Sequence, residues 1–263
     1  MRRAGLSVVL PTYNERDRLT ELVDSIFAAW DDAAAHAFGP IDVIVVDDNS
    51  PDGTGAHADA LARDHRMRVI HRPEKMGLAS AVLDGFAIAR GEIVAVMDAD
   101  LSHPPHLLVQ MCETLDRTGA DICVGSRYVS GGGTDDWSLW RLTLSHIACW
   151  LARPLTSVHD ATSGFLVARR EHVQDVRSGT RGFKIGLELL VRSAPCSVCE
   201  VPYVFVGRTA GKSKMGPREC VRYLRQLANL YWYQLTQGIR ASGNSVAFRK
   251  ARARKPAPRP QEP

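Results

Sequence analysis

Three short apolar runs in the first hundred residues each end in a polar cluster. Leu6-Ser7-Val8-Val9-Leu10 leads into Pro11-Thr12-Tyr13-Asn14-Glu15, and Ile41-Asp42-Val43-Ile44-Val45-Val46 leads into Asp47-Asp48-Asn49-Ser50-Pro51-Asp52-Gly53-Thr54. The third run, Glu92-Ile93-Val94-Ala95-Val96-Met97, gives way to Asp98-Ala99-Asp100. Runs of this length bounded by turn residues read as buried strands. Between them, Leu19 to Trp30 and Gly77 to Arg90 have helical periodicity. Strands alternating with amphipathic helices predict an α/β fold, a mostly parallel central sheet with helices on both faces. Such sheets bind ligands beyond the carboxyl ends of their strands, so the three clusters should converge on one site.

The Asp98–Asp100 pair carries the sharpest chemistry. Residues two apart on an extended segment project to the same side, so both carboxylates leave the strand together. Oxygen ligands beside phosphates suit Mg²⁺ or Mn²⁺, and a cation held there neutralises charge building on a departing diphosphate. An isolated Asp-x-Asp is more often two solvated aspartates in a turn. Convergence with the other two clusters sets this pair apart.

In order, Pro11 to Glu15, Asp47 to Thr54 and Asp98-Ala99-Asp100-Leu101-Ser102-His103-Pro104 resemble family 2 inverting glycosyltransferases with the GT-A nucleotide-sugar-binding fold. Gly125-Ser126-Arg127-Tyr128 followed by Gly131-Gly132-Gly133 is similar to the polyprenyl-phosphate (dolichol-phosphate) mannose synthases. So are Asp160-Ala161-Thr162-Ser163-Gly164-Phe165 and Arg208-Thr209-Ala210-Gly211-Lys212-Ser213-Lys214. The resemblance implies transfer of a hexose, mannose from GDP-mannose first, to a polyprenyl-phosphate acceptor. It implies that Pro11, Tyr13, Glu15, Val45 and Asp47 line the base and ribose pocket, with the Ala99 backbone near the nucleotide. It gives Asp98, Asp100 and Ser102 to the metal. Arg127, Arg208 and Lys214, with Arg141 beside them, become the cations for the leaving diphosphate and the acceptor phosphate. Asp160 falls where some relatives place a carboxylate near the acceptor, and an N-cap-like role is its alternative.

The sugar stays open, because Leu166-Val167-Ala168-Arg169 and Phe183-Lys184-Ile185-Gly186 depart from the synthase patterns, which carry a Tyr and a Gln where this chain has Phe183 and Gly186. Glucose or another sugar on the same lipid is the alternative reading. A catalytically inactive nucleotide-sugar-binding scaffold is the second, and the intact acidic pair and cations speak against it. A dehydrogenase would carry Gly-x-Gly-x-x-Gly after the first strand, where this chain has Pro-Thr-Tyr-Asn-Glu.

The 263 residues suit one domain, expected over 1–235, followed by a basic, Pro-rich, disordered tail over 236–263. A net charge of +4, without a long basic block interleaved with aromatics, points away from nucleic acid. The first strand follows Met1-Arg2-Arg3 directly, so no signal peptide is expected. No stretch has the roughly 18–20 apolar residues of a spanning helix. The best, Leu139 to Leu155, is interrupted by Arg141, His146, Arg153 and Pro154. The expected location is therefore cytoplasmic, peripheral on the inner face of the membrane. There the Pro217–Leu235 amphipathic helix would offer Leu224, Leu227, Tyr231 and Trp232, with Arg218, Arg222, Arg225 and the basic tail beside them. A separate membrane-protein partner is the alternative anchor. Cys196-Ser197-Val198-Cys199 has metal-like spacing but no second pair, so reduced, buried thiols are expected.

Overall fold

The computed structural model describes residues 5–33, 38–135, 137–174, 176, 184–193, 195–206 and 217–241. Strands and helices alternate through its first half: β1 (Leu6–Thr12), α1 (Arg16–Ala33), β2 (Ile41–Asp47), α2 (Thr54–Leu61), β3 (Met67–His71), α3 (Leu78–Ile88), β4 (Ile93–Val96), α4 (Leu107–Thr118) and β5 (Ile122–Ser126). There follow β6 (Gly133–Thr134), α5 (Leu139–Ala152), β7 (Leu166–Arg169), α6 (Arg170–Val173), α7 (Ile185–Arg192), β8 (Val198–Pro202), β9 (Val204–Phe205) and α8 (Pro217–Ala241). The main sheet has the order β3-β2-β1-β4-β7-β5-β8, and β6 and β9 pair as a separate parallel ribbon.

Period-2 alternation splits each central strand between two cores. Leu6, Val8 and Leu10 of β1 pack with the apolar faces of α1 and α4, while Val9 packs with α3 on the other face. Helix α1 contributes Leu19, Leu22, Val23, Ile26, Phe27 and Trp30, spaced three and four apart. Fully burying a large side chain of this kind is worth about 1.5–3 kcal/mol, so these contacts, rather than helix propensity, hold α1 in place. A third cluster joins α5, α7 and α8 through Ala152, Leu187, Tyr223, Leu227 and Leu230, with Leu155 just past α5. There the Tyr223 and Tyr231 hydroxyls donate to the Ala148 and Leu151 carbonyls, both at 2.7 Å.

One reversed strand organises the functional edge. β7 is antiparallel to both β4 and β5, with Val96 opposite Leu166. The segment entering β7 therefore arrives at the edge where β4 and β5 end. Since β1, β2 and β3 run parallel to β4, their carboxyl ends lie on that edge as well.

Two boundaries differ from expectation. Helix α8 continues to Ala241, past the expected domain end at 235. Ile239, Arg240 and Ala241 all tolerate a helix, and Gly238 costs it only about 1 kcal/mol. The third strand is trimmed to Ile93–Val96, so Met97 already belongs to the turn that leads to Asp98. Residues 242–263 of the basic tail lie outside the described residues.

Candidate active site

The first two polar clusters are stitched to each other. Ser50 Oγ accepts the Asn14 amide at 3.0 Å, Thr54 Oγ1 accepts the Glu15 amide at 3.1 Å, and Asp52 accepts the Arg16 amide at 3.3 Å. Asp52 also takes the Thr54 amide and hydroxyl at 3.0 and 2.6 Å. Burial acts to raise its pKa, but these bonds to the charged form outweigh it and the net shift is downward. Asp47 is buried and accepts both the Ser50 hydroxyl, at 2.5 Å, and the Ser50 amide, at 3.1 Å. Its carboxylate thus shapes its own loop. Asp48 is committed elsewhere: Arg72 pairs with it at 2.8 Å, and the Met76 and Gly77 amides donate to it at 2.9 and 2.8 Å.

Pro11 lies on β1 opposite Val46, and Tyr13 stands just past the strand's end, half-buried, with the Lys75 ammonium 3.3 Å from its ring centroid. The Glu15 carboxylate lies 3.6 Å from Arg18. Val45 lies on β2 with its side chain fully buried in the α1 core, so it offers a ligand no side-chain surface.

At the end of β4 the chain makes a tight turn in which Leu101 adopts φ +64°. That left-handed conformation costs a residue with Cβ about 1–2 kcal/mol, and strain of this kind concentrates at functional sites. The turn is locked by Asp100, which accepts the Ser102 amide at 3.1 Å and its hydroxyl at 2.5 Å. His103 is buried beneath it, stacked on Phe165 at 4.9 Å. Its Nδ1 accepts the Asp98 amide at 3.0 Å, which places the ring proton on Nε2, 3.9 Å from the Asp98 carboxylate. Burial depresses the His103 pKa, so the imidazole stays neutral and serves as a support. The Asp98 carboxylate itself is 33% exposed. An accessible carboxylate, with Asp100 and the Ser102 hydroxyl two and four residues on, is a hard-oxygen donor set that fits a divalent cation sharing its shell with phosphates.

Arg127, at the end of β5, is buried in a bidentate pair with Asp160. Nε and Nη2 each donate at 2.6 Å, and the Arg127 amide adds a third bond at 3.0 Å. Nη2 also reaches Thr162 Oγ1 at 2.9 Å. For Asp160, burial acts to raise the pKa, yet the Arg127 hydrogen bonds and charge win and the net shift is downward. This pair fixes the segment that enters β7 against the end of β5. Asp160 is thereby a structural counter-ion, with no geometry for a base. Arg141, in the first turn of α5, lies 3.8 Å from the Trp137 ring centroid.

Arg208 and Lys214 lie outside the described residues. Two basic residues that sequence reasoning passed over sit at this edge instead. Arg72 had a signal, since it follows the short apolar strand β3 just as the acidic clusters follow theirs. The other, Lys184, precedes α7, and its ammonium donates to the Thr162 carbonyl at 3.1 Å. Burial, and then the Arg127 charge, push its pKa down, while Asp98 and Asp160 pull the other way. Its only signal was its place in a stretch that departs from the synthase pattern.

A family model described as glycosyl transferase family 2 matches residues 7–177. This chain belongs to glycosyl transferase family 2. Among curated relatives, a dolichol-phosphate mannosyltransferase of Saccharomyces cerevisiae is 37% identical over 238 residues, 87% of each protein. A polyprenol monophosphomannose synthase of Mycolicibacterium smegmatis is 41% identical over 220 residues, covering 79% of this chain and 80% of that protein. A dolichol-phosphate mannosyltransferase of Pyrococcus furiosus is 38% identical over 229 residues, and the chain spans 63% of that protein's length. Two solved structures share the fold. A mannosyltransferase of Pyrobaculum calidifontis in complex with GDP-Man and Mn²⁺ has a TM-score of 0.61 at 19% identity, covering 90% of this chain and 65% of that one. A glucosyl-3-phosphoglycerate synthase of Mycobacterium tuberculosis with Mn²⁺, UDP and phosphoglyceric acid has a TM-score of 0.60 at 24% identity, covering 87% and 77%. The mostly parallel sheet expected from the apolar runs is thus present, in the GT-A fold that the motif resemblance implied.

Proposed function

We propose that this family 2 glycosyltransferase moves mannose from GDP-mannose to a polyprenyl phosphate. The observation that carries the reading is a meeting of parts. Tyr13, Glu15, Asp98, Asp100 and the Arg127–Asp160 loop share one sheet edge, in a chain 37–41% identical to dolichyl- and polyprenyl-phosphate mannosyl enzymes. Tyr13 offers a face for the base, and Glu15 an acceptor for base or ribose donors. Asp98, Asp100 and Ser102 would hold Mg²⁺ or Mn²⁺, which would neutralise charge on the leaving diphosphate. Arg208 and Lys214 are assigned to the same diphosphate. Arg127 acts through Asp160, holding the Asp160–Gly164 loop against the site. A phosphate acceptor is already ionised at neutral pH and needs no general base, which agrees with the engagement of Asp160 by Arg127.

The acceptor's hydrocarbon brings the chain to a bilayer surface, in peripheral contact. No helix among the described residues is long and apolar enough to cross a membrane. Helices α5 and α8 instead leave apolar faces bare. Trp140 and Trp150 on α5 are each 71% exposed and Trp232 on α8 is 70% exposed, with Leu224 and Leu235 on the same side of α8. Arg218, Arg222 and Arg225 are exposed on α8. Trp at the headgroup level with basic neighbours is the usual composition of an interfacial surface. Leu227 and Tyr231, expected on that surface, pack inward against α5 and α7.

A donor panel tests the reading. GDP-mannose, GDP-glucose, UDP-glucose and UDP-galactose are each supplied with polyprenyl phosphate, and extracted lipid is analysed for its sugar. Mannosyl lipid from GDP-mannose at a rate at least about tenfold above the others is expected, the factor one well-placed polar contact provides. Preference for UDP-glucose would establish the glucosyl alternative instead.

A further inference from the structure

We propose that Lys184 is the cation that receives the acceptor's phosphate, an inference that rests on the polyprenyl-phosphate reading above. It begins with Gly186. A Cβ there would lie 2.5 Å from the Ser163 carbonyl oxygen, so only glycine lets the first turn of α7 close on the segment that enters β7. Two residues earlier, the Lys184 ammonium lies 3.1 Å from the Thr162 carbonyl on the same segment. The same segment reaches the metal pair at its other end, where a Cβ on Gly164 would stand 3.5 Å from Asp98 Oδ1. Lys184 and Asp98 therefore flank one short loop. The Lys184 ammonium feels the Asp98 and Asp160 carboxylates and the Arg127 guanidinium together.

The charges then assign the role. Asp98 and Asp100 are given to the donor side, with the metal and the leaving diphosphate. Arg127 spends its Nε and Nη2 donors on Asp160 and the Thr162 hydroxyl. A phosphate dianion approaching three aspartates meets repulsion unless a cation stands at its point of entry. Lys184 is a compact point charge beside this loop, its ammonium held on the Thr162 carbonyl. Gly186 is also where this chain departs from the synthase pattern it otherwise resembles, which carries a Gln there.

The Lys184 backbone is clasped independently of its side chain. Its amide donates to Gln226 Oε1 at 3.1 Å, and Gln226 Nε2 donates to its carbonyl at 2.9 Å. Lys184→Met keeps this clasp and removes only the charge, and Lys184→Arg keeps the charge. The test is steady-state kinetics on the full chain with a short, water-soluble prenyl phosphate, with GDP binding measured by calorimetry and thermal melts as a fold control. Losing one charge-assisted phosphate contact should raise the acceptor KM of Lys184→Met by about 10- to 100-fold while GDP affinity holds within about twofold. Lys184→Arg should recover most of the loss. Unchanged acceptor KM, or GDP affinity falling in step with it, would overturn the assignment; the second result would move Lys184 to the donor diphosphate. A wild-type chain that hydrolyses GDP-mannose but glycosylates no prenyl phosphate would instead refute the functional reading beneath it.

Discussion

Arg127 and Asp160 show how a residue can matter to this site without touching a ligand. Their pair is buried and bidentate, and removing one partner strands the other charge away from water. Asp160→Asn should therefore cost about 3–5 kcal/mol in chemical denaturation. Arg127→Met combined with Asp160→Asn should recover much of that. A double variant no more stable than the single would show that the pair is not a closed unit. The sign of the pH dependence follows from the same contacts. Asp160 has a depressed pKa in the fold, so its stabilisation is present above the ordinary carboxylate range and lost as pH falls through the depressed value. The stability gap between wild type and Asp160→Asn should hold at neutral pH and narrow below about pH 4. A gap constant throughout the acid range would contradict the assignment.

At the scale of elements, α5 and α8 form a pair that faces the core with one side and leaves the other uncovered. Tyr223 and Tyr231 tie the two together from the inside. Trp140, Trp150 and Trp232 stand outside. Replacing all three by Ser should weaken co-sedimentation with anionic vesicles by about tenfold or more, since burying each aromatic contributes about 1.5–3 kcal/mol. Turnover on a soluble short-chain acceptor should stay within about twofold. Vesicle binding that survives the triple change would place the contact elsewhere on the molecule. Sequence periodicity found the amphipathic character of α8 but misassigned Leu227 and Tyr231, because only the packing of α5 and α7 decides which side is covered. For α5, Arg141 and His146 interrupt the apolar run, but an exposed apolar face needs no unbroken run.

For the whole molecule, strands and their order of polar clusters were legible because buried parallel strands leave continuous apolar runs and ligands gather at their carboxyl ends. The reversed β7 was not, since strand direction leaves no mark on a four-residue strand. That reversal delivers the Asp160–Gly164 loop to Asp98, and with it Lys184. Asp47 and Asp48 were legible as acidic residues at a strand end. Their commitment to Ser50 and to Arg72 depends on loop closure that spacing alone does not reveal. The central claim is that these parts act together as a metal-dependent sugar transferase whose reacting centre is Asp98 and Asp100. The most direct test is the initial rate of mannosyl-lipid formation from GDP-mannose, measured for wild type, Asp98→Asn and Asp100→Asn with Mn²⁺ and with chelator. Each Asn variant should keep its melting temperature close to wild type and lose roughly a hundredfold or more in rate, as should wild type in chelator. Wild-type rates in both variants, or undiminished transfer without metal, would contradict the account.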